Sequence, residues 1–424
     1  MKILLIVPVP PAADGPGALA TVMHAALTGL AERNDVTVAV AAGPELWEVE
    51  AVEQLVRDGY DVHSVDRHLA GGRARWLRRA RLASTWARGR LPWRTVWFHE
   101  PRLQRVIDEL FTTRTFDVVA VQDNATALYN TPPGVPRVLT EQEVRRARPV
   151  QWHAADGESW RAHMFAEADW RRWPRYQRRV WERCDLLHVY SARDAAAISR
   201  LAPRCDDRVR VAPFGIVVPK PPEVTAIDAA TMLFAGNFTH PPNVDAAHWL
   251  AREIFPAVRA RRPDARLLLA GAHAPESVRR SHGEGVEFLG YVDDLDSLLT
   301  RSTVFAAPVR TGGGMRMKVV HAMAMARPVV TTSRGIDGLD IDGVGPPVSV
   351  ADDAPAFSRA VVDLFDDPDK AATLGRAARA FVEKHLSASA FGARLTGILA
   401  EAEAIRVGAT FAPFERASSR RRSM

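Results

Sequence analysis

Residues 306–326 read AAPVRTGGGMRMKVVHAMAMA, and this stretch decides how the rest of the chain is interpreted. Its apolar start predicts a β-strand, the three glycines at 312–314 predict a tight loop, and the apolar residues after Lys318 predict a helix. Such a loop lets a ligand approach backbone N–H groups at the positive end of the helix, which suits phosphate oxygens. Arg316 and Lys318 would add two cations there, so the stretch predicts a phosphate-binding site.

Composition supports a specific role for Lys318. The 424 residues include 51 arginines but only five lysines, and with 50 acidic residues the net charge is +6. Because lysine is so rare, phosphate binding is favoured over an ordinary glycine-rich turn. The strong preference for arginine over lysine partly resembles a genome-wide composition bias, so the net charge alone does not predict nucleic-acid binding. The apolar fraction of 47% is typical of a globular protein.

No targeting or membrane-spanning segment is predicted. The apolar run at residues 3–7 is too short for a secretory signal, and Pro8 follows it, so it is interpreted as a first β-strand. No stretch approaches the ~18 uninterrupted apolar residues of a membrane-spanning helix. Cys184 and Cys205 fit neither a disulfide framework nor a metal or redox motif, which favours a reducing compartment. We therefore expect a cytoplasmic protein.

Short apolar runs alternate with helix-length segments in both halves of the chain, a pattern typical of βαβ units. The stretch 213–222, PFGIVVPKPP, has four prolines and no apolar periodicity, which predicts a hinge. We therefore predict an α/β protein with two Rossmann-like, doubly wound domains at 1–212 and 223–390. A C-terminal helix at 391–410 could pack back on the first domain, and the basic tail at 411–424 is expected to be disordered.

Two common nucleotide-binding signatures are absent. Lys318 is separated from the glycines and followed by a valine, so the stretch does not match G-x-x-x-x-G-K-[ST]. In the first loop, Gly15 and Gly17 lack the third glycine of G-x-G-x-x-G. A P-loop nucleotidase and a simple dinucleotide dehydrogenase are therefore both disfavoured.

The segment Gly312–Val330 resembles the donor-site segment of glycosyltransferase family 4. Members of that family have the GT-B fold, in which two Rossmann-like domains face a central cleft. Further landmarks match over nearly the whole chain: FAGNF at 234–238, PNVDA at 242–246, LGYVDDL at 289–295, and RCD at 183–185 with Ser191. The resemblance implies retaining transfer of a sugar from a nucleotide diphosphate sugar to a hydroxyl of a glycan, glycolipid or natural product. It implies no metal and no other cofactor.

Carried over by position, the resemblance makes Arg316 and Lys318 the catalytic pair, since they would stabilise the departing diphosphate. It implies a larger set of donor-binding residues: Gly15, Gly17, Gly290, Tyr291, Val292, Gly312, Gly313, Gly314 and His321. Family members usually carry two glutamates spaced E-x7-E, where this chain has Gly313 and His321. A ring nitrogen of His321 could still hydrogen-bond a ribose hydroxyl. Asn237 lies in the loop that holds a basic pair in many members.

Three side chains of the first half are candidate acceptor contacts. His24 lies on the first predicted helix. Asp123 and Glu141 follow the predicted strands Phe116–Val121 and Arg137–Leu139, where ligands of parallel sheets bind. A packed histidine and two solvated loop carboxylates are the alternative interpretation.

An arginine-rich stretch at 73–94 contains eight arginines interleaved with Trp76, Trp86 and Trp93. We expect a single helix here, delimited by Gly71-Gly72 before it and by Pro92 after it. Three interpretations stay open: a peripheral membrane-surface helix, an acceptor groove, or a solvated helix whose tryptophans face the core.

No metal site is predicted. The D-x-D patterns at Asp294–Asp296 and Asp340–Asp342 match a metal motif of other glycosyltransferases, but Asp294 is placed to cap a helix and Asp340 lies in a predicted loop. The thirteen histidines show no metal-ligand spacing. Two other functions stay open: a non-catalytic sugar-nucleotide-binding partner, which the histidine at 321 motivates, and a GT-B epimerase acting on the sugar nucleotide.

Overall fold

The computed structural model describes most of the chain: residues 1–15, 17–67, 72–89, 91–145, 160–220, 230–280 and 283–407. The chain divides into two compact units, of which the first is Met1–Val217 with Ala388–Met424 and the second is Val218–Ser387. Each unit is built on one parallel sheet with helices packed against it. The predicted α/β class with two doubly wound domains is therefore confirmed.

The first domain has a seven-stranded sheet in the order β3-β2-β1-β4-β5-β6-β7. Its strands are β1 (Lys2–Val7), β2 (Asp35–Ala42), β3 (Asp61–Asp66), β4 (Val118–Gln122), β5 (Arg137–Glu141), β6 (Leu186–Val189) and β7 (Val209–Val211). Its helices before the second domain are α1 (Ala18–Ala31), α2 (Leu46–Arg57), α3 (Gly72–Arg88), α4 (Trp93–Phe98), α5 (Pro101–Thr113), α6 (Trp160–Trp170), α7 (Trp173–Trp181) and α8 (Ala192–Leu201). The central strands β1 and β4 are apolar except at Lys2 and Gln122, because helices cover both faces of the sheet.

The second domain has a six-stranded sheet in the order β10-β9-β8-β11-β12-β13. Its strands are β8 (Thr231–Ala235), β9 (Arg266–Ala270), β10 (Val286–Gly290), β11 (Val304–Ala307), β12 (Val329–Thr331) and β13 (Ser349–Val350). Its helices are α9 (Pro241–Trp249), α10 (Phe255–Arg259), α11 (Glu276–Arg279), α12 (Leu295–Arg301), α13 (Met317–Ala324), α14 (Ala354–Asp366) and α15 (Pro368–His385), and a π-helical turn at Leu250–Ile254 joins α9 to α10.

Both sheets reverse their strand order once. The reversal lies between β1 and β4 in the first domain and between β8 and β11 in the second. Loops that leave neighbouring parallel strands diverge at such a point and open a crevice at the carboxyl edge of the sheet. Each domain therefore has one such position where a ligand is expected.

The single helix predicted between Gly71-Gly72 and Pro92 is confirmed as α3, which ends at Arg88, and Trp93 begins a separate helix, α4. Pro92 is the extended residue before α4, and proline disfavours a helical conformation in the residue before it. Trp86 packs against protein, with its ring centroid 4.4 Å from that of Phe165, whereas Trp76 is exposed. No helix within the described ranges is long and apolar enough to span a membrane.

The last helix, α16 (Ala388–Val407), packs against α1 of the first domain. Gly29 of α1 and Gly392 of α16 are in backbone contact, and a Cβ on Gly392 would overlap the Gly29 carbonyl group. The Arg210 guanidinium, at β7, donates from Nε to a carboxylate oxygen of Glu401 at 2.9 Å. The predicted basic tail at 411–424 lies outside the described residues.

Gly392→Ala is expected to destabilise the first domain by about 1–3 kcal/mol, the usual cost of overpacking a tight contact. The added methyl group cannot be accommodated without separating α16 from α1. Chemical denaturation followed by circular dichroism measures the change. Gly134→Ala is the control, because a Cβ there meets no atom within 4 Å. Equal stability of the two variants would contradict the close helix contact.

Candidate functional site

Two loops of the second domain leave adjacent strands where the sheet order reverses. One follows β8 and leads to α9, and the other follows β11 and leads to α13. The second of these loops contains the three glycines at 312–314. The phosphate-binding stretch predicted from the sequence therefore lies at the expected ligand position of this sheet.

Lys318 lies in the first turn of α13, and its side chain connects the segment after β11 to the segment after β8. Its ammonium group donates to Oδ1 of Asn243 at 2.7 Å and lies 4.3 Å from the ring centroid of Phe234. A Cβ on Gly236 would come within 2.6 Å of the ammonium nitrogen, so only glycine leaves room for it. Burial and the nearby charge of Arg316 lower the pKa of Lys318 to about 7. An anionic ligand would therefore stabilise the protonated form.

The Arg316 side chain folds back onto the glycine loop and hydrogen-bonds its backbone. Its guanidinium group donates to the carbonyl oxygens of Gly313, at 2.8 Å, and Thr311, at 3.1 Å. Gly312 and Gly314 have left-handed φ angles of +91° and +74°, which other residues adopt only with strain. A Cβ on Gly313 would meet no atom within 4 Å. Arg316 thus holds the loop through two of its carbonyl groups, and the side-chain position of Gly313 faces open space.

His321, one turn further along α13, is paired with an aspartate. Its Nε2 lies 2.6 Å from Oδ1 of Asp296 on α12, and both side chains are partly exposed. Asp294, two residues earlier, caps α12 by accepting from the backbone N–H of Ser297 at 2.9 Å, as predicted. Asp296 was not identified as a site residue from the sequence. Its only signal is its place in a D-x-D pattern.

The other predicted donor-binding residues of this domain follow β10. Gly290 ends the strand with a φ of +73°, and its carbonyl accepts from the Gly271 N–H at 2.6 Å. Tyr291 is exposed and Val292 is half-buried. β10 is the edge strand, so these residues lie two strands from β8. The chain that follows them leads into α12 and to Asp296.

In the first domain, Gly15 and Gly17 lie in the loop between β1 and α1. A Cβ on Gly17 would meet no atom within 4 Å, whereas one on Gly15 would lie 2.6 Å from the Cβ of Ala20. Packing therefore requires glycine at 15, and open space lies beside 17. His24, on α1, has a pKa lowered by burial. Its Nδ1 is buried and has no hydrogen-bond partner in the described part of the chain.

Asp123 directly follows β4 and is almost completely buried. Its carboxylate accepts from the backbone N–H of Ala125 and from Nη2 of Arg94, each at 2.8 Å. Its φ angle is +72°, and a non-glycine residue held in this region costs on the order of 1–3 kcal/mol. Such strain persists only where surrounding contacts enforce it, and it is concentrated at functional sites.

Glu141, the last residue of β5, is also buried. Its two carboxylate oxygens accept from Nδ2 of Asn124 at 2.7 Å and from Nε1 of Trp181 at 2.8 Å. Burial and the negative charge of Asp123 raise the pKa of Glu141 to about 8, so it is mostly protonated at neutral pH. Both predicted acceptor carboxyls thus hold loops in place, and their direct contact with an acceptor stays a prediction.

No group of three or more His, Cys, Asp or Glu side chains could hold a metal ion within the ranges that the structure describes. Asp340 lies in an exposed loop, as predicted. Cys184 and Cys205 are both buried and free.

Several solved structures share this two-domain architecture over nearly the whole chain. HepE from Anabaena, solved with UDP and glucose, matches with a TM-score of 0.62 at 14% identity, over 95% of this chain and 100% of HepE. Sucrose-phosphate synthase from Thermosynechococcus elongatus matches with a TM-score of 0.63 at 18% identity, over 95% of this chain and 99% of that one. The chain therefore has the GT-B fold, and its predicted resemblance to GT-B glycosyltransferases is confirmed.

The second domain can be assigned more closely. Residues 229–367 match the family described as Glycosyl transferases group 1. A GDP-mannose-dependent monoacylated alpha-(1-6)-phosphatidylinositol monomannoside mannosyltransferase from Corynebacterium glutamicum is 34% identical over 157 residues, which cover 34% of this chain and 41% of the relative. An uncharacterized 44.6 kDa protein in the cps region of Klebsiella pneumoniae is 24% identical over 141 residues, 31% of this chain and 36% of that protein. The chain thus spans about two fifths of the length of the curated relatives it matches. Residues 229–367, which lie in its second domain, are therefore similar to the group 1 glycosyltransferases.

Glu141→Gln is expected to change how stability depends on pH. The folded protein holds the Glu141 proton more tightly than the unfolded chain, because the pKa rises from 4.5 to about 8 on folding. Stability from this group is full below pH 4.5 and is lost as the pH rises towards 8. Glutamine cannot titrate. The stability advantage of wild type over the variant should therefore shrink between pH 5 and 8, in denaturation curves measured across that range.

Glu143→Gln is the matched control, because the Glu143 side chain is 60% exposed. Its stability relative to wild type should not vary with pH over the same window. A constant difference between wild type and Glu141→Gln would show that Glu141 is ionised in the folded protein.

Proposed function

We propose that the protein is a glycosyltransferase that moves a sugar from a nucleotide diphosphate sugar to an acceptor hydroxyl. The observation that carries the proposal is the pair of cations, Arg316 and Lys318, at an open glycine loop where the second sheet reverses its order. The match of residues 229–367 to the family described as Glycosyl transferases group 1 supports the same conclusion. We place the acceptor, a hydroxyl of a glycan, glycolipid or natural product, on the first domain.

The two cations account for the chemistry of the donor. When the bond between the sugar and the diphosphate breaks, negative charge grows on the diphosphate oxygens. Lys318 and Arg316 stabilise that charge in a site partly shielded from water, where each such donor is commonly worth a few kcal/mol. We infer that transfer proceeds with retention and needs no metal, since side-chain cations neutralise the leaving group. The anomeric configuration of the product, read by NMR, tests retention.

We infer that His321 and Asp296 bind the ribose of the donor nucleotide. Asp296 supplies a carboxylate that can accept hydrogen bonds from ribose hydroxyls, and its contact with Nε2 orients the imidazole. GDP-mannose is the first donor to test, because the relative from Corynebacterium glutamicum is described as GDP-mannose-dependent. UDP-glucose is the second, because HepE was also solved with UDP-glucose.

Lys318→Met and Arg316→Ala are each expected to weaken binding of the donor about 10–100-fold, since each removes a charge-assisted contact worth ~1.5–3 kcal/mol. Lys318→Met should also remove a pH dependence. In wild type, affinity falls as the pH rises above 7, because Lys318 with its pKa of about 7 must be protonated to attract the diphosphate. Calorimetric titration with the nucleotide sugar, which has no pKa near 7 on its diphosphate diester, measures both effects.

Lys370→Met is the matched control, because the Lys370 side chain is exposed and lies in the first turn of a different helix, α15. It should bind the donor as wild type does. Donor binding that is equal in all the variants would contradict the proposed site. Donor binding without any transfer or hydrolysis would instead favour a non-catalytic partner protein, and isomerisation of the sugar without an acceptor would favour an epimerase.

His321→Ala and Asp296→Ala are expected to weaken binding of GDP or UDP by about tenfold and to leave binding of inorganic pyrophosphate unchanged. The reason is that this pair contacts the ribose and not the phosphates. Lys318→Met should weaken both ligands. Competition titrations with the nucleoside diphosphate and with pyrophosphate separate the two effects. Equal losses for both ligands in His321→Ala would mean that the pair acts on the diphosphate.

A further inference from the structure

Two arginines reach the carboxyl ends of β4 and β5 in the first domain. Arg94, on α4, donates to Asp123 at 2.8 Å. Arg145 follows β5, and its guanidinium carbon lies 4.1 Å from the ring centroid of Trp173. The Arg94 and Arg145 side chains are 26% and 20% exposed, so both are largely buried but keep an accessible edge. Nε of Arg145 is buried and has no hydrogen-bond partner among the described residues.

The nearby carboxyl groups do not balance these two charges. Asp123 is buried and attracts both guanidinium groups. Glu141 is mostly protonated at neutral pH, and Glu143 lies 3.6 Å from Arg145 but is 60% exposed, so water screens it. Burial, opposed by Glu143 and reinforced by the charge of Arg94, lowers the pKa of Arg145. Two largely buried cations therefore share one buried carboxyl group, that of Asp123.

A third guanidinium extends the positive region across the point where the sheet order reverses. Arg67 directly follows β3, and its guanidinium carbon lies 4.8 Å from the ring centroid of Phe98, while that of Arg94 lies 5.5 Å from the same ring. Arg67 donates from Nη2 to Glu48 at 2.8 Å. Its Nε and Nη1 are buried and have no partner in the described part of the chain. The region thus contains several guanidinium donors in excess of its acceptors.

We propose that Arg94 and Arg145 bind a phosphate group carried by the acceptor, with Arg67 adding attraction from the other side of Phe98. Guanidinium groups bind phosphate through paired N–H donors, and a phosphate monoester offers three acceptor oxygens and up to two charges. A carboxylate offers two oxygens and one charge, so it fits this excess less well. That the phosphate belongs to the acceptor rests on the proposed function, whereas the anion site itself does not.

The test uses the full chain carrying Arg316→Ala and Lys318→Met, so that no anion is bound by the cations of the second domain. Glycerol 3-phosphate is titrated into this protein by calorimetry, with glycerate as the carboxylate probe and glycerol as the neutral probe. We expect glycerol 3-phosphate to bind, glycerate to bind more weakly and glycerol not to bind. Absence of glycerol 3-phosphate binding, or tighter binding of glycerate, would overturn the proposal.

Adding Arg145→Met is expected to lower the affinity for glycerol 3-phosphate at least about tenfold, and Arg145→Lys should recover part of it because the charge is kept. Arg175→Met, on the exposed face of α7, is the matched control and should change nothing. An unchanged affinity in Arg145→Met, or an equal loss in Arg175→Met, would refute the site. Thermal unfolding checks that Arg145→Met is folded, and Arg145→Lys provides the comparison if it is not.

Failure of the anion site in the first domain can be distinguished from failure of the proposed glycosyltransferase function. Binding of GDP-mannose or UDP-glucose to the wild-type chain tests the donor site alone. Nucleotide-sugar binding without glycerol 3-phosphate binding would remove only the anion site of the first domain. The reverse result would leave that site standing and remove the proposed function.

Discussion

The parallel pairing of β8 with β11 is the constraint on which the donor side of this protein depends. Met232 of β8 pairs with Val304 of β11 in the centre of the second sheet. The strands β9 and β10 lie on one side of this pair, and β12 and β13 lie on the other. Both loops must therefore leave the sheet at one edge. That places Asn243 within 2.7 Å of the Lys318 ammonium, although 75 residues separate them in the chain. The ammonium group then donates to a neutral amide oxygen, and a half-buried cation in that setting is suited to an anion.

The first domain repeats the constraint with different side chains. β1 and β4 are neighbours at its point of reversal, and the residues that follow β4, from Asp123 to Thr126, are buried rather than open. Asp123 keeps a left-handed backbone because Arg94 and the Ala125 N–H both hold its carboxylate. Glu141 is held by two donors yet stays mostly protonated, because burial outweighs them. The result is a rigid edge with unbalanced positive charge, whereas the second domain presents a glycine loop and a single buried amine.

The strands and the glycine loop could be predicted from the sequence, because the patterns that define them involve neighbouring residues. Apolar runs identified strands closely, for example the predicted strands Phe116–Val121 and Arg137–Leu139, which are observed as β4 and β5 with ends shifted by at most two residues. The glycines at 312–314, with Arg316 and Lys318 just after them, define the loop through their own backbone requirements. The end of α3 before Trp93 is likewise a local signal, because Pro92 stops the helical pattern of the arginine-rich stretch.

The sequence by itself determined the fold class, the division into two sheets and the cation-bearing glycine loop, because periodicity, glycine conformation and short-range spacing are properties of neighbouring residues. Only the tertiary structure decided which side chains meet: Asp296 with His321, 25 residues apart, and Arg94 with Asp123, 29 apart. These contacts depend on strand order and helix packing. Burial, which raises the pKa of Glu141 and lowers that of Lys318, likewise results from the whole fold and has no signature in the residues themselves.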